Sequence, residues 1–307
     1  MPDNILPLPE SWQPRCLSNH LGTWLYEPNR FEQVMNAYRS GQMVAAARNA
    51  GQDDPPSLYR AGDIGIVRLS GSLMKAESKY GGTSTVNARS ALRAAAHDKD
   101  IKGIMLYIDE SPGGHASGTA ELGSEIRNAA AMKPMRAHAD DLVASAAYWA
   151  FSQAPVGTLS MNAMGESGSI GVYAVIADTS KAAENDGITY HVVKSGEHKA
   201  DFAPGVPVSK EALGRLQADV DRMHQAFVSA VAEGRQMDAK DVAKLATGRT
   251  FSADESLKAG LIDGIMSFDD AMDLLRQEMS DKRAAGDRGR RSRATMTRLS
   301  IERSRLQ

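Results

Sequence analysis

The run 103-GIMLYID-109 is apolar almost without interruption and leads straight into 110-ESPGGHASG-118. A strand with one wet face alternates apolar and polar residues. A continuous apolar run of strand length has to be covered on both faces, as in parallel sheets flanked by helices. The neighbouring segments meet that demand. Upstream, 64-IGIVRLSGSL-73 reads as a strand opening into a Gly/Ser turn, and 84-STVNARSALRAAAHDKD-100 has helical spacing through Val86, Ala91, Leu92 and Ala95. Downstream, 119-TAELGSEIRNAAAM-132 is helix-like, Met135 to Ala139 is a short strand candidate, and Ser145 to Gln153 is the next helix. Strand, loop and helix alternate at short intervals, which predicts an α/β layered fold with a mostly parallel sheet. Further on, a β-like run covers Tyr190 to Lys194 and a helix runs from Ser209 to about Glu233. The stretch 238-DAKDVAKLATGRTFSADESLKAGLIDGI-265 reads as helix, strand, helix, strand.

Three regions follow from these textures. Residues 1–60 form an N-terminal extension with one helical candidate, Pro28 to Ala50, ending in the linker-like 50-AGQDDPPS-57. Residues 61–280 carry the α/β pattern. Residues 281–307 are basic, with Arg288, Arg290, Arg291 and Arg293 among their cations, and lack sustained apolar periodicity, so they read as a disordered tail. The formal charge of the whole chain is only −2, which excludes a chain built throughout to sit on nucleic acid. Cys16 is the sole cysteine, so no internal disulfide forms and a reducing compartment is expected. It lies in a Pro-rich leader with no partner residue and reads as an incidental thiol. No apolar run approaches the ~20 residues of a membrane span, and the start, MPDNILPLPESWQP, is not a secretory signal. The expectation is a cytoplasmic protein.

Three loops carry glycine or serine where an α/β sheet places its chemistry, at strand ends facing helix N-termini. The first is 139-ADDLVASAAYWAFSQA-154, in which Ser145 sits among small residues at a strand-to-helix junction. Two readings stand side by side: a helix N-cap, and a nucleophile whose following N–H, that of Ala146, points at a developing oxyanion. The second is 111-SPGG-114. Pro-Gly is a common turn dipeptide, yet a Gly-Gly pair at the carboxyl end of a buried strand also offers unobstructed N–H groups, a second half for an oxyanion hole. The third is 165-GESGSIGVY-173. It lacks the G-x-G opening of the dinucleotide fingerprint, so no nucleotide cofactor is expected.

A serine nucleophile needs a base. No H-E-x-x-H and no Cys/His pair is present, so no zinc site is expected. His115, beside the Gly-Gly turn, is the best histidine for a Ser–His mechanism. The other option is a lysine of 190-YHVVKSGEHKADFAP-204. A lysine in a water-poor site has its charged form disfavoured and can accept a serine proton near neutral pH, although most lysines are solvated surface charges.

Taken together, strand–SPGG–helix, ASAAYWAFSQA, SGSIGVY, KSGEHKADFAP and ATGRTFSADESLKAGLIDGI, in that order between about Gly62 and Ile265, closely resemble the signal-peptide-peptidase-A family of serine peptidases. Within it the resemblance is to the short, single-core members that tailed phages use as head maturation proteases. The resemblance implies a crotonase-like layered fold, related to the caseinolytic protease, with repeated β-β-α units. It implies Ser145 as nucleophile, Lys199 as general base, and an oxyanion hole from Gly113 or Gly114 together with Ala146. Ser169, of the GSIGV motif, would orient the Lys199 amine. One departure is that Ala146 and Ala147 stand where the family has a glycine soon after the nucleophile; an N–H donor survives that change. A caseinolytic-type Ser-His-Asp triad would need a histidine shortly after the serine, and none lies between Ala146 and Tyr190.

The resemblance further implies no metal and no cofactor, a homo-oligomeric ring, and capsid, portal or scaffold proteins as substrates inside a procapsid. Loop 71-GSLMKAESKYGG-82 is a candidate rim of the substrate groove. The basic tail could contact a partner or packaged nucleic acid, or be removed by the protease itself. Alternative roles are a cellular peptidase of the same family that degrades peptide remnants, and a non-catalytic scaffold-assembly module.

Overall fold

The computed structural model describes residues 24–26, 57–76 and 82–285. Cys16, the helical candidate Pro28–Ala50, the middle of loop 71–82 and the tail beyond 285 lie outside the described residues. In chain order the elements are β1 (Trp24–Tyr26), β2 (Leu58–Ala61), β3 (Ile64–Leu69), β4 (Leu73–Met74), β5 (Thr83–Ser84) and α1 (Thr85–His97). There follow β6 (Gly103–Ile108), β7 (Gly113–His115), α2 (Thr119–Met132), β8 (Met135–Ala139), β9 (Leu142–Ala144) and α3 (Ala146–Phe151). Then come β10 (Leu159–Met161), β11 (Glu166–Gly168), α4 (Ser180–Asn185), α5 (Lys210–Arg235), α6 (Ala239–Leu245), β12 (Thr250–Ser252), α7 (Ala253–Lys258) and β13 (Gly264–Ile265). A last helix, α8, covers 268–285.

The six-stranded sheet has the order β13-β10-β8-β6-β3-β2. Every pair in it is parallel except β2–β3. The expectation for GIMLYID holds: Ile104, Leu106 and Ile108 point into the main core with α1, α2 and α3. On the other face Met105 packs with Ile64, Ala271, Met272 and Leu275, so α8 covers that side. Tyr107 sits at the edge of this second cluster.

After each long strand the chain crosses to a short strand outside this sheet before entering a helix. Thus β6 leads to β7 and α2, and β8 leads to β9 and α3. The short strands form two small sheets, β1-β7-β4-β5 and β12-β11-β9. Their loops are therefore stacked beside one another at one end of the long strands.

Helix α1 begins where Ser84 accepts the N–H of Asn87, an N-cap bond that fills one of the first-turn donors. Ala91, Leu92 and Ala95 are buried as the spacing predicts, together with Ala88, whereas Val86, expected on the same stripe, lies exposed in the first turn. Helix α3 is different: all six of its residues are buried. Tyr148 donates to the Leu261 carbonyl at 3.0 Å, and Trp149 stacks on Phe227 of α5 with centroids 5.0 Å apart. Both aromatic residues lock α3 into the core.

The far end of α5 is pinned by an ion pair. The Arg235 guanidinium grips both Asp263 oxygens, at 2.6 and 3.1 Å, and donates its Nε–H to the Gly260 carbonyl. Asp263 Oδ2 also accepts the N–H groups of Gly157 and Leu159 at 2.9 Å each. Burial alone would raise the Asp263 pKa, but Arg235 and the two amides more than offset it and hold the carboxyl below its ordinary range.

Two expectations are corrected. The run Tyr190–Lys194 is no strand: it is exposed, and no described strand completes a ladder with it. The helix beginning at 268 continues past Ser280 to 285. Residues 281-DKRAA-285 are good helix formers without an apolar stripe, so periodicity alone hides them.

Candidate active site

Ser145 stands between β9 and α3 with φ 54° and ψ −118°. For a residue with a Cβ this is a strained conformation, outside even the left-handed helical well, and costs about 1–3 kcal/mol. Its side chain makes no capping hydrogen bond although it occupies the cap position. The plain N-cap reading therefore fails. The hydroxyl is fully buried and its Oγ has no hydrogen-bond partner. What holds the strain is the backbone: Ser145 N–H donates to Gly168 O at 2.8 Å, and Trp149 N–H donates to Ser145 O at 2.9 Å. A sharp strand-to-helix turn with a serine at its apex is the geometry that presents a nucleophile ahead of free helix N–H groups.

The SPGG loop lies alongside. Ser111 N–H donates to Leu142 O at 2.7 Å, Ala144 N–H returns to Ser111 O at 2.9 Å, and the Ser111 hydroxyl donates to Gly71 O. Gly113 and Gly114 are not in an open turn. They form β7, with Gly114 in register with Leu73 and Leu25. A Cβ on Gly114 would lie 1.9 Å from the Leu73 carbonyl oxygen, so only glycine permits this strand approach, and Gly113 has φ 101°. His115 follows on β7, where its Nδ1 accepts the Ser117 N–H. Neither it nor any other described group is hydrogen-bonded to Ser145 Oγ.

Ser169 is the second strained serine, φ 50°, nearly fully buried, with its N–H donating to Arg249 O at 2.8 Å. It follows Gly168, where a Cβ would lie 2.8 Å from the Phe251 ring. Arg249 in turn lies 4.0 Å over that ring, a cation–π contact. Ser169 opens onto a cavity of about 270 Å³ lined also by Gly171, Tyr173, His224, Thr247 and Gly248. His224 had no role on sequence grounds. It lies on α5, remote in the chain from every motif, while the ATGRTF motif that supplies Thr247 and Gly248 was already conspicuous.

Lys199 is placed differently. From 171 to 211 no residue is buried, and Lys199 itself is exposed. This arm is closed at its base, where Asp178 accepts from Ser180 and Val208 and Thr179 accepts from Gly205 N–H. Its surface is apolar at Val175, Ile188, Tyr190 and Val193, the last 99% exposed. Ser145, Ala146, the SPGG loop and Ser169 are brought together within one chain; Lys199 is not brought into hydrogen bonding with Ser145. Among the described residues no cluster of three or more His, Cys, Asp or Glu could hold a metal, and no helix is long and apolar enough to cross a membrane.

Comparison with known proteins bears on this site. The chain is 27% identical over 264 residues to the capsid assembly protease C of Escherichia phage lambda, covering 83% of this chain and 59% of that protein. It is 26% identical over 212 residues to protease 4 of Salmonella typhi, covering 69% and 34%. It is 24% identical over 220 residues to the chloroplastic serine protease SPPA of Arabidopsis thaliana, covering 70% and 32%. The chain thus spans about one third to three fifths of these relatives' lengths. The profile of peptidase family S49 matches residues 127–281, a span that contains Ser145, Ser169 and Lys199 and starts just after the SPGG loop. With half the chain matched, and phage capsid and signal-peptide-peptidase-like proteases among its relatives, this protein belongs to peptidase family S49.

Proposed function

We propose that the protein is a serine endopeptidase with a Ser145–Lys199 dyad. The observation that carries this reading is the strained, buried, unpartnered Ser145 at the head of α3. A hydroxyl left without a partner in the core costs about 1–3 kcal/mol, and the backbone strain adds to it. Both costs have a rationale if the hydroxyl is held ready for chemistry.

In the proposed cycle the Lys199 amine takes the Ser145 proton as Oγ attacks the scissile carbonyl. The Ala146 N–H and that of Gly113 or Gly114 hold the oxyanion. The lysine ammonium then gives its proton to the leaving amine, and water, activated by the same amine, hydrolyses the acyl-enzyme. Ser169 orients the lysine. The β-β-α succession of β6-β7-α2 and β8-β9-α3 agrees with a crotonase-like layered core, which this reading adopts.

The arm gives the reason for an oligomer. An exposed apolar excursion carrying the base, beside a buried serine lacking one, is supplied with what it needs if Lys199 enters the site of a neighbouring copy in a ring. The name of the phage lambda relative favours capsid or scaffold proteins as substrates during procapsid assembly. Mass spectrometry of co-expressed capsid and scaffold proteins tests the reading. Wild type should yield discrete cleavage products, and Ser145→Ala and Lys199→Ala none. Unchanged cleavage in both variants would refute the dyad.

A further inference from the structure

β1 is the outermost strand of the small sheet β1-β7-β4-β5 and is only three residues long. It pairs antiparallel with β7, with Trp24 opposite His115, Leu25 opposite Gly114 and Tyr26 opposite Gly113. β7 in turn opens with the glycines proposed for the oxyanion hole. It departs directly from the Ser145 loop: Ser111 bridges Val143, and the N–H of Ala144, the residue before Ser145, donates to Ser111 O at 2.9 Å. Two residues further on stands Gly113. β7 also packs on α3, the helix that Ser145 heads.

A strand has two edges for backbone pairing. One edge of β7 is built into the core, where β4 pairs with it in parallel through Leu73, whose side chain is fully buried. An extended peptide that reaches Ser145 by adding a strand to β7 therefore needs the other edge. β1 holds that edge.

The direction of β1 agrees with such a peptide. β7 runs away from the Ser145 loop, from Gly113 to His115, and β1 runs back toward it, so that its last residue, Tyr26, faces Gly113. The acyl half of a peptide substrate has to lie the same way. Its last carbonyl must arrive at the oxyanion glycine while the residues before it lie along β7. A parallel strand would bring the wrong end to the serine.

We propose that β1 is a substrate-like strand, residues 24–26 of this same chain, which occupies the acyl-side docking edge of the active site and competes there with an extended peptide. The proposal rests on the Ser145 reading above and names what fills that site when no substrate does. Three residues supply few backbone bonds, each worth little net of water, so an incoming peptide can displace them. Attachment to the same chain raises the local concentration of β1, so even weak pairing competes.

Fluorescence anisotropy of a labelled peptide copying 20-HLGTWLYEPNR-30 tests the proposal in full-length Ser145→Ala protein, which leaves the probe intact. Successive N–H groups of a strand alternate between its edges, so Leu25→Pro combined with Tyr26→Pro removes one donor from the β7 side whichever of the two faces it. The proline variant should bind the probe at least about fivefold more tightly than protein with native β1, the factor of one net backbone bond. In a separate protein, Cys16→Ser with Trp24→Cys and His115→Cys sets two thiols on directly opposed residues, within disulfide reach. Oxidation should close that disulfide, seen by mass, and abolish probe binding, and reduction should restore it. Should no protein cleave any peptide while these binding differences hold, the Ser145–Lys199 reading fails and the docking edge stands. Equal affinity in the native and proline proteins, no binding to the proline variant, a disulfide that does not form, or binding that survives it overturns the proposal.

Discussion

The N–H of Ser145 donates to the carbonyl of Gly168 at 2.8 Å, and this bond joins two strained serines, Ser145 (φ 54°) and Ser169 (φ 50°), across the small sheet of β9 and β11. The register Gly168↔Ala144 sets that spacing. Neither serine loop can shift without the other, so backbone pairing fixes the two serines relative to one another.

Ser145→Gly separates strain from chemistry. Glycine adopts φ 54° without the Cβ penalty, so the variant should be more stable by about 1 kcal/mol in denaturant unfolding. Peptidase activity should fall by at least about a thousandfold. A destabilised Ser145→Gly protein would show that the backbone there is not strained.

Mixing inactive Ser145→Ala and Lys199→Ala proteins tests where the lysine acts. If the arm reaches a neighbouring copy, mixed rings pair an intact serine with an intact lysine and recover a substantial fraction of wild-type cleavage. Absence of recovery after subunit exchange, itself checked by mass, would assign the lysine to its own chain.

The Arg235–Asp263 pair should be a point of structural weakness when halved. Asp263→Ala leaves a nearly buried guanidinium and two strand-end amides unpaired, and should cost about 3–5 kcal/mol. The folded-state pKa of Asp263 lies below its ordinary value, so its contribution is complete above that value. It is lost as pH falls from the ordinary carboxylate range through the folded pKa, and the Asp263→Ala variant lacks this acid-dependent component. Denaturant midpoints measured against pH read both effects.

His138 works in a higher window. Burial pulls its pKa from 6.5 down to about 4, more strongly than Asp140 and Asn162 raise it. The unfolded chain binds the proton more readily than the folded one between those values. Stability is therefore fully present above pH 6.5 and declines as pH falls toward 4, by on the order of 3 kcal/mol. His138→Gln should flatten that slope.

Gly114→Ala probes the contact between β7 and β4. Its Cβ would fall 1.9 Å from the Leu73 carbonyl oxygen, which neither backbone can yield to within a ladder. The variant should lose both thermal stability and peptidase activity, whereas Gly214→Ala on α5, whose Cβ meets open space at an ordinary helical φ, should leave activity unchanged and stability unchanged or slightly higher.

Much of the architecture was legible before any coordinates. GIMLYID announced a doubly covered strand because alternation is local and has a fixed period. Helices α1, α2 and α5 fell near their expected bounds for the same reason, and Ser145 stood out because a strand ran directly into helix formers. The misreadings have local causes too. Tyr190–Lys194 has strand-forming residues but no neighbour to bond, and 281–285 has helix formers without a stripe.

What the amino-acid order determined, then, is the succession of elements and the chemical types at their junctions: short-range propensity and periodicity suffice for that. Tertiary structure decided which junctions meet. The row of Arg68, Tyr107, His138 and Ser160 exists only because parallel pairing aligns residues tens of positions apart, and parallel register depends on crossovers that no local window contains. The same holds for the strain at Ser145, enforced by Gly168 from another strand, and for the exposure of the Lys199 arm. In each case the deciding contact is made by a residue far away in the chain.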